Sequence, residues 1–148
     1  MIKLTATLFC FLLFLSCQST GTGSLVKITG KEDILSTAGG DDIWDPGVLN
    51  RVKLKHAIRR YFSKTIPKNK YFFNPDYIRI NLSKYNIEYA GIIDKGKKFI
   101  VCQLILYPNH ISNPDVFSRH LDGGCDIVRV KYDATKDEVT YLMCNGPG

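Results

Sequence analysis

The sequence predicts an α+β domain in which one N-terminal helix packs on an antiparallel sheet of four to five strands, built from consecutive hairpins. Three observations predict this fold. One segment has apolar residues at helical spacing, and two later segments alternate apolar and polar residues around a short polar turn. The chain has 148 residues and no internal repeat, which is typical of a single domain.

The predicted helix covers residues 46–63. Asp45 is suited to cap its first turn, and Pro46 suits the first helical position because the amide hydrogen that proline lacks has no partner there. The apolar residues recur every three or four positions, so they share one face that would pack on the sheet. These residues are Leu54, Ala57, Ile58, Tyr61 and Phe62.

The second half of the chain has the pattern of β-strands. Residues 85–106 are predicted to form one hairpin, which turns at the polar tetrapeptide 94–97. A second hairpin is predicted to pair residues 126–132 with residues 138–144. Because a tight turn joins antiparallel strands, the sheet is expected to be antiparallel.

The chain opens with the pattern of a signal peptide. Lys3 gives a short positive region, and residues 4–15 are an apolar block that is shorter than the ~20 apolar residues needed to cross a bilayer. No second apolar stretch of spanning length follows. The sequence therefore predicts export, and any attachment to a membrane must come from something other than a helix.

The residues Phe14-Leu15-Ser16-Cys17 resemble the lipobox of bacterial lipoproteins. The resemblance implies cleavage before Cys17, a diacylglycerol on its thiol and an acylated amino terminus. Acyl chains of this kind anchor a protein firmly because each buried CH₂ group contributes ~0.8 kcal/mol. The alternative is an ordinary signal peptide cleaved after Ser19, which would discard Cys17 and give a secreted protein.

Three parts of the chain are therefore expected: a signal peptide at residues 1–16, a lipidated cysteine with a flexible tether at residues 17–44, and one folded domain at residues 45–148. The tether is predicted from its content of Gly, Ser and Thr, with residues 25–28 as a candidate short edge strand. Such a protein is expected in the bacterial cell envelope, anchored to a membrane and facing the periplasm or the cell surface.

The net charge of +6 has a local origin. Residues 48–70 contain eight basic and no acidic residues, whereas the rest of the chain has 12 basic and 14 acidic residues. Four bases of the helix form the predicted binding surface: Arg51, Lys55, Arg59 and Arg60. Each Lys or Arg near an anionic membrane contributes ~1 kcal/mol, so anionic headgroups, an acidic glycan or an acidic envelope protein are the expected partners. The alternative is a helix face that is only solvated.

Three cysteines follow the lipobox, and export places them in an oxidising compartment. Cys125 and Cys144 lie near the open end of the second predicted hairpin, so a disulfide between them is expected. It would close a loop of about 20 residues and stabilise the fold by roughly 3 kcal/mol. Cys102 is interpreted as a small buried residue, and a Cys102–Cys125 disulfide is the alternative.

The end of the chain also resembles that of small uncharacterised bacterial lipoproteins. The matching residues are Gly123-Gly124-Cys125, Tyr132-Asp133 and Cys144-Asn145-Gly146. The resemblance implies export and the hairpin, and it implies no reaction.

One loop gathers residue types that could bind zinc or form a Cys/His nucleophilic pair: His110, Asp115, His120, Asp122 and Cys125. Their spacing fits no standard zinc signature, and a cysteine in a disulfide is no nucleophile. The expectation is therefore a non-enzymatic binding module with no metal, no cofactor and no nucleic-acid partner. The alternatives are a small envelope enzyme that uses the loop, and an inhibitor or immunity-type protein.

Overall fold

The computed structural model describes residues 23–63, 74–107 and 109–146. They form an α+β domain, as predicted, with nine helices and strands in these ranges. In chain order these are β1 (Leu25–Lys27), α1 (Lys31–Ala38), β2 (Asp42–Trp44), α2 (Gly47–Ser63), α3 (Pro75–Asn81), β3 (Asn86–Asp94), β4 (Lys97–Ile105), β5 (Ile127–Asp133) and β6 (Glu138–Cys144). Short 3₁₀ turns at Leu82–Lys84 and Gly124–Asp126 lead into β3 and β5.

The sheet is mixed and has six strands in the order β1-β3-β4-β5-β6, with β2 also paired to β3. β1 runs parallel to β3, and β2 runs antiparallel to it further along the same edge. The prediction of one helix on a purely antiparallel sheet of four to five strands is therefore wrong in its details. β1 confirms the candidate edge strand at residues 25–28. β2 has three residues, which is too short for an alternating pattern to identify.

The predicted flexible tether is also wrong for the residues that the structure describes. Gly23 donates its N–H to the carbonyl of Ser83 at 2.9 Å, and the segment from there to β2 contains β1 and α1. Ile28 and Ile34 are buried in the core. Because the segment is rich in Gly and Ser, these two isoleucines were not recognised as core residues. Gly39, with a φ of 74°, ends α1. Residues 17–22 lie outside the described ranges.

Helix α2 begins one residue later than predicted. Asp45 accepts a hydrogen bond from the N–H of Gly47 at 3.1 Å, so its carboxylate does serve the start of the helix. The predicted apolar face is confirmed, because Leu54, Ala57, Ile58 and Phe62 are all buried.

Both predicted hairpins are confirmed. β3 and β4 pair over nine residues, from Asn86 opposite Ile105 to Asp94 opposite Lys97. The two residues between the strands, Lys95 and Gly96, both have positive φ. Two-residue hairpin turns of this kind are favoured because their backbone twist matches that of the flanking strands. β5 and β6 pair antiparallel, with an irregularity in register after Lys131.

The predicted disulfide joins Cys125 to Cys144, whose Cα atoms are 4.6 Å apart. Cys102 is reduced and 4% exposed, so the alternative Cys102–Cys125 pairing is wrong. Burial raises the pKa of the Cys102 thiol to about 12, as expected for a neutral core residue.

The sheet has a hydrophobic core on each face. The face under α2 is the larger, and its core includes the tyrosines Tyr85, Tyr89 and Tyr132. The opposite face is covered over β3 and β4 by α1 and by residues 109–123, which we call the covering loop. Its core is smaller: Ile28, Ile34, Ala90, Ile92, Val101 and Phe117.

Candidate functional site

The four bases of the predicted binding surface on α2 differ in their exposure and in their contacts. Lys55, Arg59 and Arg60 are exposed, and Arg51 is half-buried. The guanidinium of Arg60 donates to a carboxylate oxygen of Asp137 at 3.1 Å and to its carbonyl at 2.8 Å. Arg60 therefore holds the turn between β5 and β6. Asp137 is 77 positions away in sequence, so the helix pattern alone could not reveal this contact.

The outward side of α2 carries a distinct row of residues. Val48, Val52, Lys55 and Arg59 are spaced four, three and four positions apart, which places them above one another on a helix. We call this row the outer stripe. Its first two side chains are 66% and 47% exposed. The outer stripe therefore presents two apolar and two basic side chains to the surroundings of the helix.

The basic end of the outer stripe lies beside the first residue that the structure describes. Lys55 and Arg59 line a shallow pocket together with Gly23. The backbone is closely packed at this glycine, because a Cβ atom there would lie 1.7 Å from the carbonyl oxygen of Tyr85. Cys17 precedes Gly23 by six positions, which can span at most about 20 Å.

A second polar cluster surrounds the carboxylate of Glu88 on β3, which is 0% exposed. One carboxylate oxygen accepts from the hydroxyl of Ser118 at 2.5 Å and contacts the His110 Nε2 at 3.0 Å. The other accepts from the Ser118 N–H at 2.8 Å. Burial alone would raise the pKa of Glu88, but hydrogen bonds from Ser118, His110 and Ser112 outweigh it and hold this pKa below its ordinary value.

This cluster does not have the geometry of a nucleophilic triad. In a triad, one ring nitrogen of histidine takes the proton of the nucleophile while the acid holds the other nitrogen. Here Glu88 and the hydroxyls of Ser112 and Ser118 all meet the same atom, His110 Nε2. The arrangement instead ties the covering loop to the sheet through one buried carboxylate.

The residues predicted for a zinc or Cys/His site are only partly brought together. The rings of His110 and His120 lie 5.9 Å apart, whereas Asp115 and Asp122 are exposed and Cys125 is in the disulfide. Within the described ranges, no group of three or more His, Cys, Asp or Glu side chains is arranged to hold a metal ion.

His120 is packed between Tyr107 and His110, with the ring of Tyr107 edge-on at 5.3 Å. Its buried Nε2 has no hydrogen-bond partner among the described residues. Burial and the neighbouring His110 lower the pKa of His120, so the neutral ring is favoured.

Sequence reasoning missed Glu88, which is the centre of the cluster. A signal was present, because Glu88 is the one charged residue in the apolar run from Ile87 to Ile93. A charged side chain at a strand position that faces the core requires hydrogen-bond or ionic partners. The strand pattern does not show which loop supplies them.

Comparison with protein families, with curated proteins and with solved structures found no match for the chain. In the part of the chain that the structure describes, no helix is both long enough and apolar enough to span a membrane.

Proposed function

We propose that this protein is a lipid-anchored, non-enzymatic binding module of the bacterial cell envelope that presents the outer stripe of α2 to an anionic membrane surface. The observation that carries the proposal is the position of Gly23, next to Lys55 and Arg59. The lipid on Cys17 is part of the proposal and rests on the resemblance of residues 14–17 to a lipobox.

The position of the proposed anchor limits where the stripe can be. Six residues hold Gly23 within about 20 Å of the lipid, so Lys55 and Arg59 stay close to the headgroups. Attraction between exposed charges decays over ~8 Å at physiological ionic strength. A connection of this length lets the bases reach this range, where each contributes ~1 kcal/mol.

The apolar half of the stripe supports the same orientation. Val48 and Val52 are exposed in the described structure, and contact with the interface between headgroups and acyl chains would remove their surface from water. An acidic protein or glycan would be attracted by the same bases, but neither explains why Gly23 lies next to them.

The anchor is tested with the full chain expressed in bacterial cells. Mass spectrometry of the protein from membranes should find acyl chains on Cys17, and Cys17→Ala should move the protein out of the membrane fraction. Recovery of unacylated protein with its amino terminus after Ser19 would contradict the anchor and favour secretion.

The orientation is tested separately, with the acylated protein in vesicles and a fluorophore on Val48→Cys. Spin-labelled headgroups should quench the fluorophore more strongly in vesicles with anionic lipid than in neutral ones. Lys55→Gln with Arg59→Gln should remove the difference, and the matched pair Lys95→Gln with Lys97→Gln, on the β3–β4 turn, should keep it. Equal quenching in both vesicle types would contradict contact with headgroups. A charge-dependent cross-link to an acidic envelope protein would then identify the partner instead.

A further inference from the structure

A groove crosses the sheet on the face opposite α2. It lies where α1 and the covering loop stop short of β6, and its volume is about 350 Å³. Pockets for small organic molecules start at roughly 300 Å³. Six residues define its chemistry: Thr37, Val101, Gln103, Phe117, Arg129 and Tyr141.

Two polar residues of the groove, Gln103 and Arg129, belong to a row across the sheet that starts at Glu88. Glu88 pairs in register with Gln103, and Gln103 pairs with Arg129. The first two are buried and already have partners, because Glu88 binds the covering loop and Gln103 donates its amide N–H to the carbonyl of Ser118 at 2.8 Å. Arg129 is the third and lies beyond the edge of the loop.

Arg129 differs from the other cation of the groove. Lys131 is 3.1 Å from the carboxylate of Asp94 and lies over the ring of Phe99 at 4.4 Å. Arg129 is exposed, and none of the hydrogen bonds or ion pairs found among the described residues involves its side chain. Its guanidinium is therefore available to a ligand.

The surroundings of Arg129 favour one kind of ligand. Among the described residues that line the groove there is no Asp or Glu, so the charge of Arg129 is not neutralised there. Val101 and Phe117 supply an apolar wall beside it. A guanidinium matches a carboxylate in two parallel hydrogen bonds, and the apolar wall would cover the rest of such a molecule.

We propose that this groove binds a small organic acid, with its carboxylate on Arg129 and its apolar body against Val101 and Phe117. The site lies on the other face of the sheet from the outer stripe. The two sites can therefore be occupied at the same time, and the proposal does not depend on contact with a membrane.

The test uses 4-benzoylbenzoate, a carboxylate with an apolar body that forms a covalent bond to nearby C–H groups on illumination. Its neutral carboxamide is the matched control. With the full chain as recovered from bacterial cells, the acid should label peptides that line the groove at least tenfold more than the carboxamide, as measured by mass spectrometry. An excess of benzoate should suppress this labelling in the unchanged protein.

Arg129→Gln should reduce labelling by the acid at least tenfold, Arg129→Lys should reduce it less, and Arg79→Gln, on the surface of α3, should leave it unchanged. Equal labelling by the acid and the carboxamide would overturn the proposal. So would labelling that benzoate does not suppress, or that lies outside the groove peptides. Because the benzoate competition uses the unchanged protein, the proposal stays testable even if an Arg129 variant does not fold.

Discussion

The two faces of the sheet are closed in different ways. On one face, the 17 residues of α2 place a continuous apolar row over the core. On the other, α1 has only eight residues, and the rest of the cover is a loop held by hydrogen bonds to Glu88. A long amphipathic helix seals a sheet by apolar contact, whereas a loop with little regular structure must be fixed at individual polar atoms. The second kind of cover leaves part of the sheet open, and the groove lies there.

The largest expected effect is on the apolar face. Leu54→Ala removes a fully buried side chain from the centre of the α2 contact, and we expect it to lower the free energy of unfolding by about 3 kcal/mol. Urea unfolding followed by the fluorescence of Trp44, the single tryptophan, measures this. Leu49→Ala, on the exposed side of the same helix, is the control and should change little. Equal effects of the two substitutions would mean that α2 does not pack as described.

On the opposite face, we expect Glu88→Gln to lower the free energy of unfolding by about 2 kcal/mol. The amide keeps the size of the side chain but has one acceptor oxygen where the carboxylate had two, and its NH₂ group meets donors. Hydrogen exchange should show faster exchange at the Ser118 and Phe117 amides, while the amides of α2 keep their protection. Glu138→Gln, in an exposed ion pair, is the control. Unchanged exchange in the covering loop would show that Glu88 does not hold it.

Acid should weaken the face that contains Glu88 in two stages. The folded state lowers the pKa of His120 below 6.5, so as the pH falls below 6.5 the unfolded chain takes up that proton first and stability decreases. The pKa of Glu88 is lowered below 4.5, so its contribution is complete above pH 4.5 and is lost as the pH falls through its folded value.

These two stages can be separated by substitution. In urea titrations from pH 7.5 to 3.5, His120→Gln should remove the decrease that begins near pH 6.5, and Glu88→Gln should flatten the decrease below pH 4.5. If both variants keep the pH profile of the unchanged protein, other groups are responsible for its acid sensitivity.

The smallest expected effect is that of Arg129→Gln on stability. Its side chain is exposed and makes no ion pair among the described residues, so we expect the free energy of unfolding to change by less than about 0.5 kcal/mol. The same urea titration measures it. A larger loss would mean that Arg129 supports the sheet rather than serving a ligand.

The elements with strong local patterns were predicted from the sequence. The face of α2 follows from its apolar spacing, the β3–β4 turn from a polar tetrapeptide with Gly96, and the disulfide from the position of Cys125 and Cys144 at the end of a hairpin. In each case the residues that form the structure are close in sequence, or are placed by one turn. The candidate edge strand at residues 25–28 is confirmed as β1. β2, α1 and α3 were missed because they are short, and packing rather than propensity stabilises them.

The α+β class, both hairpins, the disulfide and a basic helix were all predictable from local patterns in the chain. The folded arrangement decided which of the bases are available, since Asp137 binds Arg60 from a distant turn. It also decided that Glu88 holds the covering loop and that Arg129, in the same row across the sheet, lies outside it. The periodicity of a sequence shows on which face of a helix or strand a side chain lies. Its contact partner depends on what packs against that face, and those contacts join residues that are far apart in the chain.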